Sequence, residues 1–189
     1  MTLQLLALSG SARRDSYNLK LVRAMAAGAE AKGATVTVLN WSEFELPVFN
    51  EDIEGETPLA AVKLKTLFVE AQGFLIAEPE YNGGYSALMK NAIDWASRPL
   101  PGAPGGAVFK NKPVVIAGAT TGRWGAVRSV RQLREVMGYL GGIVLPDTLS
   151  INEAGKAFDA DGKLLDAKTA ELAAAAGAAL ARAAAALAT

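Results

Sequence analysis

The chain has 189 residues, of which 51% are hydrophobic and 20% are charged, so length and composition predict one globular domain that needs no disulfide or metal for stability. Lysine plus arginine and aspartate plus glutamate number 19 each, and the resulting net charge of zero argues against a nucleic-acid-binding or acidic-membrane-binding surface. The sequence contains neither cysteine nor histidine. This composition excludes disulfides, thiolate nucleophiles, serine–histidine triads and metal sites built from those residues.

A polar loop between a strand and a helix is the first feature that indicates a binding site. The apolar run over residues 3–8 predicts a strand, and no basic segment precedes it to indicate a signal peptide. Residues 9–18 form the loop. Such a loop presents hydroxyl and backbone N–H groups where the helix dipole is positive, and Arg13 could add a charge-assisted hydrogen bond to a phosphate. An ordinary turn in which Ser16 or Asn18 only caps the helix explains the same residues.

Strand and helix patterns alternate along the rest of the chain. The spacing of apolar residues predicts helices over residues 19–32, 58–71, 86–97 and 127–140. Apolar or β-branched runs predict strands over residues 35–39, 73–77, 113–118 and from 142, the last continuing irregularly to Ile151. Residues 99–106 predict a short Pro/Gly connector. The Ala-rich segment 170–189 carries Glu171 and Arg182, so we expect a soluble terminal helix and not a membrane span.

Apolar strands that alternate with helices predict an α/β fold in which a parallel sheet is covered by helices on both faces. Ligands of such sheets bind beyond the carboxyl ends of the strands. Three of the predicted loops at these ends have unusual compositions, and they cover residues 9–18, 78–86 and 119–125. These loops form the candidate site.

The second and third loops suit a flat, polar ligand. Pro79 and the pair Gly83-Gly84 would let the backbone approach the edge of a ring. Thr120 and Thr121 add hydroxyl groups beside flexible backbone. An anion loop together with two such loops predicts a nucleotide-like cofactor.

Two motifs resemble those of the NAD(P)H-dependent FMN reductases, most strongly the branch that reduces quinones and chromate. The similarity covers nearly the whole chain, and two motifs at the right separation are far more specific than either alone. The motifs are Gly10-Ser11-x-Arg13-x-x-Ser16-x-Asn18, and Pro79-Glu80-Tyr81-Asn82 followed by Lys90-Asn91-Ala92-Ile93-Asp94-Trp95.

The resemblance implies a three-layer flavodoxin-like fold over residues 1–189, with a parallel sheet of strand order 2-1-3-4-5. It implies non-covalent FMN, NADPH or NADH as electron donor, small-molecule acceptors, and a cytoplasmic homodimer or homotetramer. It carries phosphate contacts onto Ser11, Arg13, Ser16, Tyr17 and Asn18, flavin-ring contacts onto Pro79, Glu80, Tyr81, Asn82 and Gly83, and ribityl or ring contacts onto Thr120, Thr121 and Gly122.

Several of these side chains have structural interpretations that we favour. Trp95 continues an apolar helix face and is expected in the core. We expect Glu80 to have a structural or interface role, not a catalytic one. Arg128 and Arg131 share a helix face, where salt bridges are more common than a phosphate clamp. Lys90 and Asp94 have the spacing of an i,i+4 pair.

Hydride transfer between nicotinamide and flavin is carried by the cofactors, so no catalytic residue is required and the absence of histidine costs this hypothesis nothing. We therefore expect a ping-pong reductase of quinones, chromate, azo compounds or free flavin. The alternatives are an FMN-binding electron carrier without NAD(P)H turnover, or a nucleotide-binding scaffold without flavin. We also expect Tyr81, residues 83–85 and the loop 41–49 at a subunit contact, because exposed aromatic residues in loops indicate an interface.

Overall fold

Strands and helices alternate through the part of the chain that the computed structural model describes, which is residues 2–99 and 108–187. All but the start of the predicted 99–106 connector lies outside these residues. Three short 3₁₀ helices occupy Trp41–Glu43, Glu51–Glu56 and Ala154–Lys156. The main elements are β1 (Gln4–Ser9), α1 (Tyr17–Glu30), β2 (Thr35–Val38), α2 (Leu59–Glu70), β3 (Phe74–Glu78), α3 (Ala87–Ser97), β4 (Pro113–Ala119), α4 (Val127–Tyr139), β5 (Ile143–Val144), β6 (Ser150–Ile151) and α5 (Ala167–Leu187).

The sheet is parallel and has the order β2-β1-β3-β4-β5, which confirms the predicted topology. The predicted fifth strand is interrupted. Its first part pairs with the start of β4, and β6 pairs with the end of the same strand. Pro146 lies in the gap and has no N–H to donate to the ladder. There the hydroxyl of Thr148 donates to the carbonyl oxygen of Ile116 at 2.7 Å and replaces a ladder bond.

Alternate side chains of the strands enter two separate cores. Leu5 and Ala7 of β1 pack with α1 and α5, whereas Leu6 and Leu8 pack with α2, α3 and α4. Since both faces of the inner strands are buried, their sequences are apolar except at strand ends, where Gln4, Ser9 and Glu78 lie. The result is the three-layer arrangement that the sequence predicts.

The Ala-rich α5 lies unusually close to α1. A methyl group at Gly28 would overlap the backbone of Ala174, and one at Gly177 would overlap the backbone of Met25. By length and composition alone α5 could cross a membrane, but 44% of its most apolar window is buried within the fold. Its small residues therefore serve the close contact with α1, which in turn positions the N-terminus of α1 at the site.

We expect Gly28→Ala and Gly177→Ala each to lower the free energy of unfolding by about 1–3 kcal/mol, because the helix backbones would have to separate. Gly138→Ala is the matched control, since Gly138 lies on an exposed face of α4 with no atom within 4 Å of its missing Cβ. That variant should be neutral or more stable by about 0.5–1 kcal/mol. Urea unfolding checks both values, and equal effects at Gly28 and Gly138 would contradict the close packing.

Candidate active site

The loop between β1 and α1 presents free donors at a helix N-terminus. The Ser16 hydroxyl caps α1 by accepting a hydrogen bond from Leu19 N at 3.3 Å. Among the described residues, the backbone N–H groups of Tyr17 and Asn18 have no hydrogen-bond partner. Arg13 is exposed beside them, and its backbone N–H donates to the Ser11 hydroxyl at 3.4 Å. Capping by Ser16 therefore leaves an anion-binding arrangement intact.

Asn18 joins this loop to the end of β4. Its Oδ1 accepts from Ala119 N at 2.8 Å, and its Nδ2 donates to the Ala119 carbonyl oxygen at 2.9 Å. The side chain is buried, so these bonds satisfy two backbone groups that water cannot reach. Asn18 therefore also links the first loop to the end of β4, a role that the motif resemblance did not imply.

Glu78 is the site residue that sequence reasoning missed. It ends β3, is fully buried, and accepts a hydrogen bond through Oε1 from Ser86 N at 2.6 Å. Its Oε2 has no partner among the described residues. Gly10 leaves room for the carboxyl group, because a Cβ at that position would overlap it. Burial raises the pKa of Glu78 to about 7, although the hydrogen bonds from Ser86 act in the opposite direction.

Glu80 is committed to the start of α4. Its carboxylate accepts from Arg128 N at 3.0 Å and from Arg128 Nε at 2.6 Å. Burial would raise the pKa of Glu80, but the hydrogen bonds and charge of Arg128 outweigh it and lower the pKa. This geometry agrees with the structural role expected from the sequence. Arg128 is thereby engaged within the chain, and Arg131 pairs with Glu135 at 3.5 Å.

A tight turn shapes the second loop. Tyr81 and Gly84 exchange two backbone hydrogen bonds of 3.0 Å, and the central residues Asn82 and Gly83 have φ values of 51° and 77°. These values are those of a type I′ turn, which an Asn-Gly pair adopts readily. Gln132 of α4 donates to the Gly83 carbonyl oxygen at 3.2 Å. The backbone that follows Pro79 is therefore held in one conformation at the edge of the site.

The third loop is anchored at Thr120 and again at Gly122, whose carbonyl oxygen accepts from Glu153 N at 3.3 Å. The N–H of Thr120 donates to Ile151 O at 3.0 Å, and its carbonyl oxygen accepts from Ala154 N at 3.0 Å. Thr121 and Gly122 are exposed. The three loops thus meet at one edge of the sheet, as the parallel topology requires.

The segment before α2 is held on the fold by aromatic and amide side chains. Trp41 is buried and its Nε1 donates to Ser9 O at 2.5 Å. Asn91 accepts from Phe49 N at 2.7 Å and donates to Pro47 O at 2.9 Å, and Trp95 donates to the same oxygen at 2.9 Å. The expectation that the aromatic residues of this loop are exposed is therefore wrong for Trp41, and Phe49 packs edge-on against Trp95.

The two helix predictions made for α3 are confirmed. Trp95 is buried in the fold, and Lys90 Nζ contacts Asp94 at 2.6 Å as an i,i+4 ion pair. The helical half of the second motif, residues 90–95, is therefore largely structural, because its amide and indole groups fix the segment that precedes α2.

Comparisons with known proteins agree with this geometry. The family model described as NADPH-dependent FMN reductase matches residues 3–156. The chain belongs to that family. It is 38% identical over 173 residues to the NAD(P)H-dependent FMN reductase of Pseudomonas aeruginosa, covering 90% of this chain and 89% of that protein. It is 32% identical over 170 residues to a 2-hydroxy-1,4-benzoquinone reductase of a Burkholderia species, with 89% of each chain covered.

A solved structure gives the same fold. The flavoenzyme FerB of Paracoccus denitrificans, an NAD(P)H:(acceptor) oxidoreductase, superposes with a TM-score of 0.79 over 96% of both chains at 28% identity. As a member of the NADPH-dependent FMN reductase family, the protein is an NAD(P)H-dependent oxidoreductase that uses FMN. The residues present fit that cofactor, since the free N–H groups of Tyr17 and Asn18 suit its phosphate and the open backbone at Gly83 and Gly122 leaves room for a ring.

The raised pKa of Glu78 makes stability depend on pH. The folded protein holds this proton up to about pH 7, whereas the ordinary carboxyl value is 4.5, so stability should fall as pH rises between these values. The full cost above pH 7 is at most about 3 kcal/mol. Glu78→Gln removes the charge, so its stability relative to wild type should improve from pH 5 to pH 8 in urea unfolding of flavin-free protein.

Glu80→Gln is the control for this experiment. The pKa of Glu80 is lowered, so Glu80 contributes stability above the ordinary carboxyl pKa and loses it only as the pH falls through its folded-state value. The stability difference between Glu80→Gln and wild type should therefore be negative and nearly constant from pH 5 to pH 8. A flat difference for Glu78→Gln as well would show that Glu78 ionises normally in the folded protein.

Proposed function

We propose that this member of the family oxidises NAD(P)H and reduces quinones, with FMN held non-covalently across the carboxyl ends of β1, β3 and β4. The observation that carries the proposal is the convergence of three anchored loops, the first of which has free helix N–H donors. The printed activities of two relatives support a quinone acceptor: the Burkholderia protein, and an NADPH:quinone oxidoreductase of Arabidopsis thaliana that is 36% identical over 172 residues and covers 87% of this chain.

The FMN phosphate is assigned to the loop before α1. A phosphate there would accept hydrogen bonds from the N–H groups of Tyr17 and Asn18 and lie in the positive field of the helix N-terminus. Ser11 and Ser16 offer hydroxyl donors, and Arg13 offers a charged one. Because Asn18 uses its side chain to hold Ala119, its contribution to the phosphate comes from its backbone and its remaining amide hydrogen.

The flavin ring is assigned to the second and third loops. Pro79 and the type I′ turn present mainly backbone groups, so we expect Glu80, Tyr81, Asn82 and Gly83 to contact the ring edge through main-chain atoms. The carboxylate of Glu80 is already paired with Arg128. The remaining contacts are assigned to Thr120, Thr121 and Gly122.

FMN, when bound, supplies the hydride-accepting chemistry, and the chain supplies position and electrostatics. The net reaction consumes NAD(P)H, a solvent proton and a quinone, and it yields NAD(P)⁺ and a hydroquinone. Oxidised nicotinamide must leave before the quinone stacks in the same space, which is a ping-pong order. The buried Glu78 and the paired Glu80 take no part in these transfers.

Exposed apolar side chains beside the site support a homodimer or homotetramer. Tyr81 is 49% exposed, Trp124 is 72% exposed and Val127 is 53% exposed. A second subunit over these residues would complete the cover of the ring. We place the enzyme in the cytoplasm, where NAD(P)H is available.

The direct test is an anaerobic titration of the purified yellow protein. NADPH should bleach the visible flavin absorption, and a quinone added afterwards should restore it. Bound flavin that NADPH does not bleach would favour the electron-carrier alternative, and a colourless protein that ignores added FMN would favour a scaffold without flavin.

Arg13→Ala should weaken FMN binding roughly ten- to a hundredfold, because a hydrogen bond to a charged group is worth about 1.5–3 kcal/mol. Riboflavin has no phosphate, so its affinity should hardly change. Fluorescence titration of both flavins checks this, with Arg131→Ala, which removes an exposed guanidinium paired with Glu135, as the matched control. Equal losses for FMN and riboflavin would mean that the phosphate binds elsewhere.

A further inference from the structure

A second cleft lies at the carboxyl ends of β1 and β2, next to the proposed phosphate loop. Its volume is about 770 Å³, which is within the usual range for small-molecule sites. The β1–α1 loop and α1 form one wall, and the segment after β2 forms the other. Its polar and aromatic lining includes Arg13, Arg14, Arg23, Asn40, Trp41 and Ser42.

The charged residues that line this cleft are all positive. Three arginines line it and no carboxylate does, although the whole chain has no net charge. Within the described residues, the guanidinium groups of Arg14 and Arg23 have no ion pair or hydrogen bond. The nearby Glu43 is hydrogen-bonded to Asn40 Nδ2 at 2.8 Å and does not line the cleft. Unpaired arginines around a cavity favour an anion, above all a phosphate.

An adjoining cavity makes the contrast clear. It has a volume of about 440 Å³ and shares Arg14 and Arg23 with the cleft, but it is also lined by Asp15 and Asp161. Lys20 and Lys163 line it as well, so its lining mixes charges of both signs, whereas every charged residue that lines the larger cleft is an arginine. The two shared arginines therefore favour an anion on the side of the larger cleft.

The rest of the lining suits a nucleoside. Trp41 is buried with its Nε1 bonded to Ser9 O, so its ring is a fixed apolar surface beside Leu39. Asn40 and Ser42 add an amide and a hydroxyl to the lining, and the Ser42 hydroxyl donates to Asn40 Oδ1 at 2.9 Å. Indole, amide, hydroxyl and guanidinium groups that line one cleft are of the kinds that contact a base, a ribose and a phosphate.

We propose that this cleft binds the adenosine end of NADPH, with Arg14 and Arg23 as ligands of the 2′-phosphate. The inference rests on the proposed function, which requires an NAD(P)H donor whose nicotinamide lies over the flavin. Ser11 and Arg13 also line the cleft, so the cleft adjoins the loop that is assigned to the FMN phosphate. NADH lacks the 2′-phosphate and gains nothing from these arginines, so the enzyme should prefer NADPH.

The test uses FMN-loaded protein, so that the flavin phosphate already occupies its own site. Calorimetry should show that 2′,5′-ADP binds at least roughly tenfold more tightly than 5′-AMP. Arg23→Gln and Arg14→Gln should each weaken 2′,5′-ADP by roughly tenfold, since both arginines are partly solvated. Binding of 5′-AMP and retention of FMN should not change. Arg131→Gln on α4 is the matched control and should leave all three unchanged.

Steady-state rates with a quinone give an independent readout. Arg23→Gln should raise KM for NADPH and leave KM for NADH and both kcat values near wild type. Equal binding of 2′,5′-ADP and 5′-AMP, no change in Arg23→Gln, or release of FMN by 2′,5′-ADP would each overturn the proposal. Nucleotide binding needs no turnover, so tight 2′,5′-ADP binding without bleaching by NADPH would refute the proposed reductase while supporting the cleft.

Discussion

Two hydrogen bonds between the side chain of Asn18 and the backbone of Ala119 fix the geometry on which the site depends. α1 follows β1, whereas β4 lies two positions away in the sheet, so these bonds set where the N-terminus of α1 stands across the strand ends. Both backbone groups of Ala119 are buried, and leaving either unpaired would cost about 1–3 kcal/mol. The proposed phosphate-binding loop and the third loop are thereby held as one unit.

The two carboxylates at the site, like Asn18, join elements that are separate in the fold. Glu78 ties the end of β3 to the start of α3, and Glu80 ties the second loop to Arg128 at the start of α4. Both carboxylates therefore hold structural elements together. The chain has no histidine or cysteine that could serve as a general acid or base instead. A site of this kind suits chemistry that its cofactors carry, because the protein has only to hold flat molecules in register. The family membership and the absence of histidine and cysteine thus have a common physical explanation.

The sequence predicts features that depend on local pattern or on a complete motif. Strand order, the core position of Trp95 and the ion pair of Lys90 follow from periodicity, spacing and the family resemblance. Pro146 is a local sequence signal for the interruption of the fifth strand, because proline has no N–H to donate to the ladder. The contacts of Glu78 with Gly10, and of Asn18 with Ala119, join residues far apart in the chain. No pattern within a single element indicates such pairs, because they depend on which loops the sheet brings together.

FMN is proposed to place its phosphate at the N-terminus of α1. A two-dimensional amide NMR spectrum of the protein, recorded with saturating FMN and with saturating riboflavin, tests it most directly. The two spectra should differ chiefly at the N–H signals of Tyr17 and Asn18 and of the loop before them, and they should agree at the turn that contains Gly83. Matching signals at Tyr17 and Asn18 in the two complexes would contradict the account.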